Sequence, residues 1–175
     1  MTGSTGFRDQ SKNGWRWWKN CEEIITERIM RLSKDFKEFI ELLNAHDVRY
    51  LVVGGHAVAA HGHPRNTKDM DVWVWRDHAN IKKFFTALTE FGFGNIGLTI
   101  EDFLFHDNII QLGFPPNRID ILTELSGVSF EKCFQRKVVF DVQGIPCNVI
   151  GLEDLKRTKK ATGRTQDLAD LENLE

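Results

Sequence analysis

Tyr50-Leu51-Val52-Val53-Gly54-Gly55-His56, followed by Asp69-Met70-Asp71-Val72-Trp73-Val74-Trp75, is the stretch on which the organisation of this chain turns. Its first half is a short apolar run stopped by a double glycine, which predicts a strand, a tight turn and then a short helix through Ala57 to Ala60. Its second half opens with two aspartates one residue apart and continues in strand-forming residues. Side chains two apart on a strand point to the same face, roughly 7 Å apart at about 3.3 Å per residue, so Asp69 and Asp71 project together.

Working outward, Arg118-Ile119-Asp120-Ile121-Leu122 places a third aspartate inside an apolar strand, where a bare charge is costly. A cation shared with Asp69 and Asp71 would serve as its partner. Mg²⁺ (or Mn²⁺) suits an all-oxygen donor set. Two such ions about 3.5 to 4 Å apart can activate an attacking hydroxyl and neutralise a leaving pyrophosphate. Gly54-Gly55 leaves backbone N–H groups open to a phosphate, which puts a nucleoside triphosphate beside the turn. Arg65 and Thr67 precede the aspartate strand and offer donors to phosphate oxygens, a reading evenly balanced against a structural one.

Val53-Gly54-Gly55-His56, then Asp69-Met70-Asp71-Val72 beginning thirteen positions beyond His56, then the distant Asp120, resemble the DNA polymerase β-like nucleotidyltransferase superfamily. Each piece alone is common; their spacing together is the specific feature. Gly54-Gly55-His56-Ala57-Val58, Pro64-Arg65-Asn66-Thr67 and Asp69-Met70-Asp71 are similar to its minimal bacterial and phage-type members, which include nucleotidyltransferase toxins of abortive-infection systems. Lys159, Gly163-Arg164 and Asp167-Leu168-Ala169-Asp170-Leu171 extend the resemblance, which covers about 48–175 and leaves out the N-terminal arm.

The resemblance implies transfer of a nucleoside monophosphate from an NTP, such as ATP, to an acceptor hydroxyl or amine, with release of pyrophosphate. Carried over residue by residue, Asp69 and Asp71 bind both metals. Asp120 binds the catalytic one and assists deprotonation of the acceptor. Gly54, Gly55, His56, Arg65, Thr67 and Lys159 are the corresponding nucleotide-binding candidates. The acceptor stays open among RNA (tRNA ends included), protein and small molecule, and a cognate antitoxin or other partner protein is a further expectation. The alternative is a catalytically silent binding module of the same fold, such as a toxin–antitoxin component. This chain departs from the family where a serine often follows the glycine, since Gly55 is followed by His56.

The expected fold is α/β (α+β): a short, mixed, twisted sheet flanked by helices on one side, with the glycine turn and the aspartates converging at one edge. A chain of 175 residues, 41% hydrophobic, fits one domain over 21–175 preceded by a flexible arm over 1–20. Apolar residues at Ile25, Ile29, Leu32, Phe36, Phe39 and Leu43 predict a helix over 22–45. Asp77 is a plausible N-cap for a second helix carrying Ile81, Phe84, Leu88 and Phe91. Further strands are expected at 109–112, 118–122, 138–141 and 146–150, with Pro115-Pro116-Asn117 turning a hairpin. Leu152 and Leu155 open a terminal helix, Gly163 interrupts it, and Leu168, Leu171 and Leu174 form another stripe.

Composition narrows the remaining classes. A formal net charge of -2, from 23 Lys+Arg against 25 Asp+Glu, gives no global basic field for non-specific nucleic-acid binding. A polynucleotide partner would need a local patch, for which Lys156, Arg157, Lys159, Lys160 and Arg164 are candidates; equally, they form a solvated helix face. Trp15, Trp17 and Trp18, interleaved with Arg16 and Lys19, could stack on bases or dock back onto the domain. Cys21, Cys133 and Cys147 fit neither a disulfide framework nor a paired-thiolate zinc site and are expected to be reduced and mostly buried. His61 and His63 with Asp69 lack the other ligands of a zinc site at telling spacing. Asp167 and Asp170 are expected to cap their helix or pair with Arg164. With neither a membrane-spanning run nor a signal peptide, a cytoplasmic protein with no membrane partner is expected.

Overall fold

A computed structural model of the protein describes residues 32–64, 67, 69–94, 97–105 and 109–174. The Trp-rich arm, Cys21, Arg65 and the first part of the helix expected over 22–45 lie outside the described residues.

Among the described residues, six strands form one mixed sheet: β1 Tyr50–Val52, β2 Asp69–Val74, β3 Ile110–Leu112, β4 Arg118–Leu122, β5 Val138–Val142 and β6 Ile145–Val149. Their order is β3-β4-β2-β1-β6-β5. β1 runs antiparallel to β2 and parallel to β6, while β2 runs parallel to β4. Two antiparallel hairpins, β3–β4 and β5–β6, close the sides. The turn at Pro115-Pro116-Asn117 joins β3 to β4 as expected.

Among the described residues, seven α-helices accompany the sheet: α1 Lys34–Ala45, α2 Gly54–Ala60, α3 His78–Leu88, α4 Ile100–Phe105, α5 Phe130–Gln135, α6 Leu152–Thr162 and α7 Thr165–Leu174. The hydroxyl of Ser33 accepts from the Phe36 N–H to start α1, and Asp77 Oδ1 accepts from the N–H groups of Ala79 and Asn80 to start α3. Phe91 falls beyond the end of α3, in a wider turn over Thr89–Phe93 kinked at Gly92 (φ 102), yet its ring still packs on Phe39 at 5.0 Å. Gly163 ends α6 in the left-handed conformation (φ 61), as the sequence predicts.

Pleat alternation divides the sheet into two unlike faces. Tyr50 and Val52 pair with Val74 and Val72, so these residues share one face with Met70, and all are fully buried. The Tyr50 hydroxyl donates to Asn44 Oδ1 at 3.0 Å, which puts α1 on that face. Phe39 of α1 meets Phe84 of α3, and Phe84 meets Phe103 of α4, so the three helices form one aromatic layer. Buried Asn80 ties this layer to the strands: it accepts from the Arg49 N–H at 2.7 Å and donates to the carbonyls of Arg49 and Trp75.

The opposite face carries Asp69, Asp71 and Trp73 of β2. Phe130 of α5 packs edge-on against Trp73 at 5.0 Å and stacks on Trp75. Helices therefore flank both sides of the sheet, rather than the one side expected from sequence, because Trp73 is itself apolar and needs cover. The aspartates also lie on interior strands instead of at a lateral edge, since β3 pairs along the outer side of β4. Among the described residues, no helix is long and apolar enough to cross a membrane.

Candidate functional site

Parallel pairing of β2 and β4 aligns Asp69 with Arg118, Met70 with Ile119 and Asp71 with Asp120. Neighbouring strands lie about 4.8 Å apart, and residues in register share a face. Asp69, Asp71 and Asp120, far apart in sequence, therefore meet on one face with Arg118 among them. The intervening residues, Met70, Ile119 and Ile121, point into the core and are almost fully buried, which fixes the register: a slip by one residue would drive the carboxylates into the apolar layer.

Arg118 is the hub of this cluster. Its Nε donates to Asp120 Oδ1 at 2.8 Å, and one terminal nitrogen donates both to Asp120 Oδ2 at 3.0 Å and to Asp69 Oδ2 at 2.6 Å. The side chains of Arg118, Asp69 and Asp120 are 25%, 29% and 11% exposed, so the clamp is sheltered yet reachable from solvent. The hydrogen bond to Asp120, followed by the charges of Asp120, Asp69 and Asp71, pushes the guanidinium further up from its ordinary value. Arg118 was not among the candidate residues. The signal was available, because an arginine two positions before Asp120 on a strand obeys the alternation that pairs Asp69 with Asp71.

Gly54 supports the same cluster from the other side. It has φ +61, and a Cβ placed there would collide with Asp71 Oδ2. The Val53 N–H donates to the Asp71 carbonyl at 3.0 Å, holding the turn against β2. Glycine is thus required twice at position 54, by backbone conformation and by the carboxylate that fills the place of a side chain. Gly55 follows, buried, within α2.

The donor chemistry of the cluster fits a hard divalent cation. Its ligands would all be carboxylate oxygens, and Asp69 Oδ1 is buried with no hydrogen-bond partner, an acceptor still lacking its donor or cation. In the arrangement observed, the guanidinium supplies the positive charge. Among the described residues, no three His, Cys, Asp or Glu side chains close around one point suited to a metal ion.

The remaining candidates fall in several places. His56 is buried in α2, with its ring edge-on to Phe36 of α1 at 5.6 Å. The Thr67 hydroxyl donates to the Asp69 carbonyl at 3.0 Å, a contact that steadies the entry to β2. Lys159 is not brought into the carboxylate cluster: it is 4% exposed, and its Nζ lies 3.0 Å from Asp167 Oδ1 and 2.6 Å from Asp170 Oδ2. Those two aspartates thus take Lys159 as partner, where the sequence suggested a helix cap or a pair with Arg164. His61 Nε2 lies 2.8 Å from the Ile150 carbonyl, a link to the strand end at β6. Arg164 instead lines a cavity of about 360 Å³ with Leu122, Thr123, Glu124, Ser126 and Thr162. Leu122 lies two residues beyond Asp120 on the same face of β4.

The chain is similar in structure to an antigenic nucleotidyltransferase-like protein from Paracoccidioides brasiliensis, with 16% sequence identity and a TM-score of 0.47 over 89% of this chain and 75% of that one. No protein-family model and no curated protein matches the sequence.

Proposed function

We propose that this protein is a divalent-metal-dependent nucleotidyltransferase that moves a nucleoside monophosphate from an NTP to an acceptor hydroxyl or amine and releases pyrophosphate. The observation that carries the reading is the register of Asp71 with Asp120 across parallel β2 and β4, with Asp69 on the same face. Asp69, Asp71 and Asp120 would hold Mg²⁺ or Mn²⁺, which when bound supplies neutralising charge for the triphosphate and its leaving group. The acceptor oxygen or nitrogen forms a bond to the α-phosphorus. The bond from that phosphorus to the bridging oxygen breaks, and its electron pair leaves with pyrophosphate. In this reading Asp120 would take the acceptor proton.

In this reading the triphosphate would lie along the Gly54-Gly55 turn, beside the Asp71 carboxylate that packs against Gly54. The cavity at the end of β4 offers room for the nucleoside, with Thr123, Thr162 and Arg164 as polar contacts. Acceptors in keeping with this chemistry are an RNA end such as that of tRNA, a protein side chain and a small molecule. A toxin role would add a cognate antitoxin as partner, and a cytoplasmic location would supply the NTP.

The guanidinium clamp on Asp69 and Asp120 favours a second reading, a catalytically silent binding module that retains the fold with its carboxylates internally neutralised. Incubation with Mg²⁺, α-labelled NTPs and cell lysate separates the two. The enzyme transfers label to a discrete species, and Asp71→Ala or Asp120→Ala abolishes transfer. A protein that binds nucleotide but labels nothing in any fraction is the silent module.

A further inference from the structure

We propose that Arg118 is a built-in counter-cation that occupies the acidic cluster in the metal-free protein and must release Asp69 and Asp120 when a divalent ion enters, thereby setting the metal affinity of the site. This rests on the reading of the cluster as a metal site.

Three aspartates brought to one face of two paired strands repel one another, and without a cation between them the register of β2 and β4 would carry an electrostatic penalty. Arg118 relieves it from within the chain. Its fork takes both oxygens of Asp120, and the nitrogen shared with Asp69 joins the two strands through one positive group. Three of the four carboxylate oxygens on Asp69 and Asp120 are therefore engaged by guanidinium. Only Asp69 Oδ1 is left without a hydrogen-bond partner.

A divalent ion needs those same oxygens, and it would sit within a few ångströms of a permanently charged guanidinium. The two cations repel at that distance, so they compete for the carboxylates. The structure gives Arg118 a way out. It is the first residue of β4, its side chain is one-quarter exposed, and a flexible aliphatic stem lets the guanidinium swing towards solvent while the strand stays paired. Arg118 thus exchanges with metal at the same oxygens.

The test measures Mn²⁺ binding directly, by the electron paramagnetic resonance signal of free Mn²⁺, on the full chain and on Arg118→Gln, Arg118→Lys and Asp71→Ala. Thermal midpoints are recorded with and without Mn²⁺. Removing the competing cation is expected to tighten Mn²⁺ binding about tenfold or more in Arg118→Gln. Arg118→Lys, which keeps a point charge without the fork, should fall between. Metal-free Arg118→Gln should melt below the wild type, and saturating Mn²⁺ should narrow that gap.

Mn²⁺ binding by the wild type that is lost in Asp71→Ala, together with equal or weaker binding by Arg118→Gln, overturns the proposal and leaves the metal site standing; Arg118 would then position the ligands for metal. Absence of Mn²⁺ binding in both wild type and Arg118→Gln overturns the metal site and this proposal with it. Should Arg118→Gln fail to fold, Arg118→Lys carries the comparison: tightening of about threefold supports competition, and unchanged or weaker affinity overturns it.

Discussion

Gly54 and Arg118 carry as much of the site's construction as the aspartates do. A methyl group at position 54 would meet Asp71 Oδ2 and would have to adopt φ +61. Gly54→Ala is therefore expected to lower stability by about 1 kcal/mol or more through backbone strain alone. It should also displace the Asp71 carboxylate and abolish nucleotide transfer, which thermal melts and the labelling assay would read separately. The two described cysteines are structural. Burial pushes the Cys147 thiol up to about 12 and Cys133 up to about 11, so both should resist alkylation in the native protein at pH 8 and react only on unfolding. Rapid native labelling of either would contradict their placement. At this scale the aspartates were legible because strand alternation alone puts two of them together. Gly54's second role was not, because it depends on a carboxylate from a strand that follows later in the chain.

The register of β2 with β4 converts three separate acidic residues into one cluster, and the surrounding helices hold it in place. Lys159 fastens α6 to α7 through Asp167 and Asp170, with Thr162 donating to Asp167 Oδ2 at 2.7 Å. Removing one partner of a buried ion pair is expensive, so Lys159→Met should destabilise the fold by about 3 kcal/mol. A change in nucleotide affinity without loss of stability would instead make it a ligand contact. At the start of α6, Arg136 holds the carboxyl of Asp154, which is 1% exposed, below its ordinary value of 3.8. A depressed carboxylate stabilises the fold fully above the unfolded value and loses that contribution as pH falls through the lower folded one. The stability of the wild type should therefore drop below about pH 4 more steeply than that of Asp154→Asn, as denaturant titrations across pH 2 to 6 would show. The strands, the α3 cap and the terminal helices were legible because each has a full period or a clear stop signal. The short helices α4 and α5 were not, since six residues hold too little periodicity and their anchors, Phe103 and Phe130, are tertiary contacts.

Among the described residues, the core lies between the sheet and the aromatic layer of α1, α3 and α4 and continues onto the opposite face through Trp73 and Phe130, leaving the polar end of that face for the acidic cluster. Phe39 stands at the centre of that layer, fully buried against Phe84 and Phe91. Phe39→Ala should cost about 3 to 5 kcal/mol in denaturant unfolding. A sheet-and-helix pattern marked the class of fold in the sequence. It did not mark how the cluster is neutralised, because that is a property of strands brought together only on folding. The most direct test is calorimetric titration of each NTP into wild type and Asp71→Asn, with and without Mg²⁺. The account predicts nucleotide binding that requires Mg²⁺ and weakens at least about tenfold in Asp71→Asn. Binding indifferent to both metal and Asp71, or no binding to any NTP with Mg²⁺ present, would contradict it.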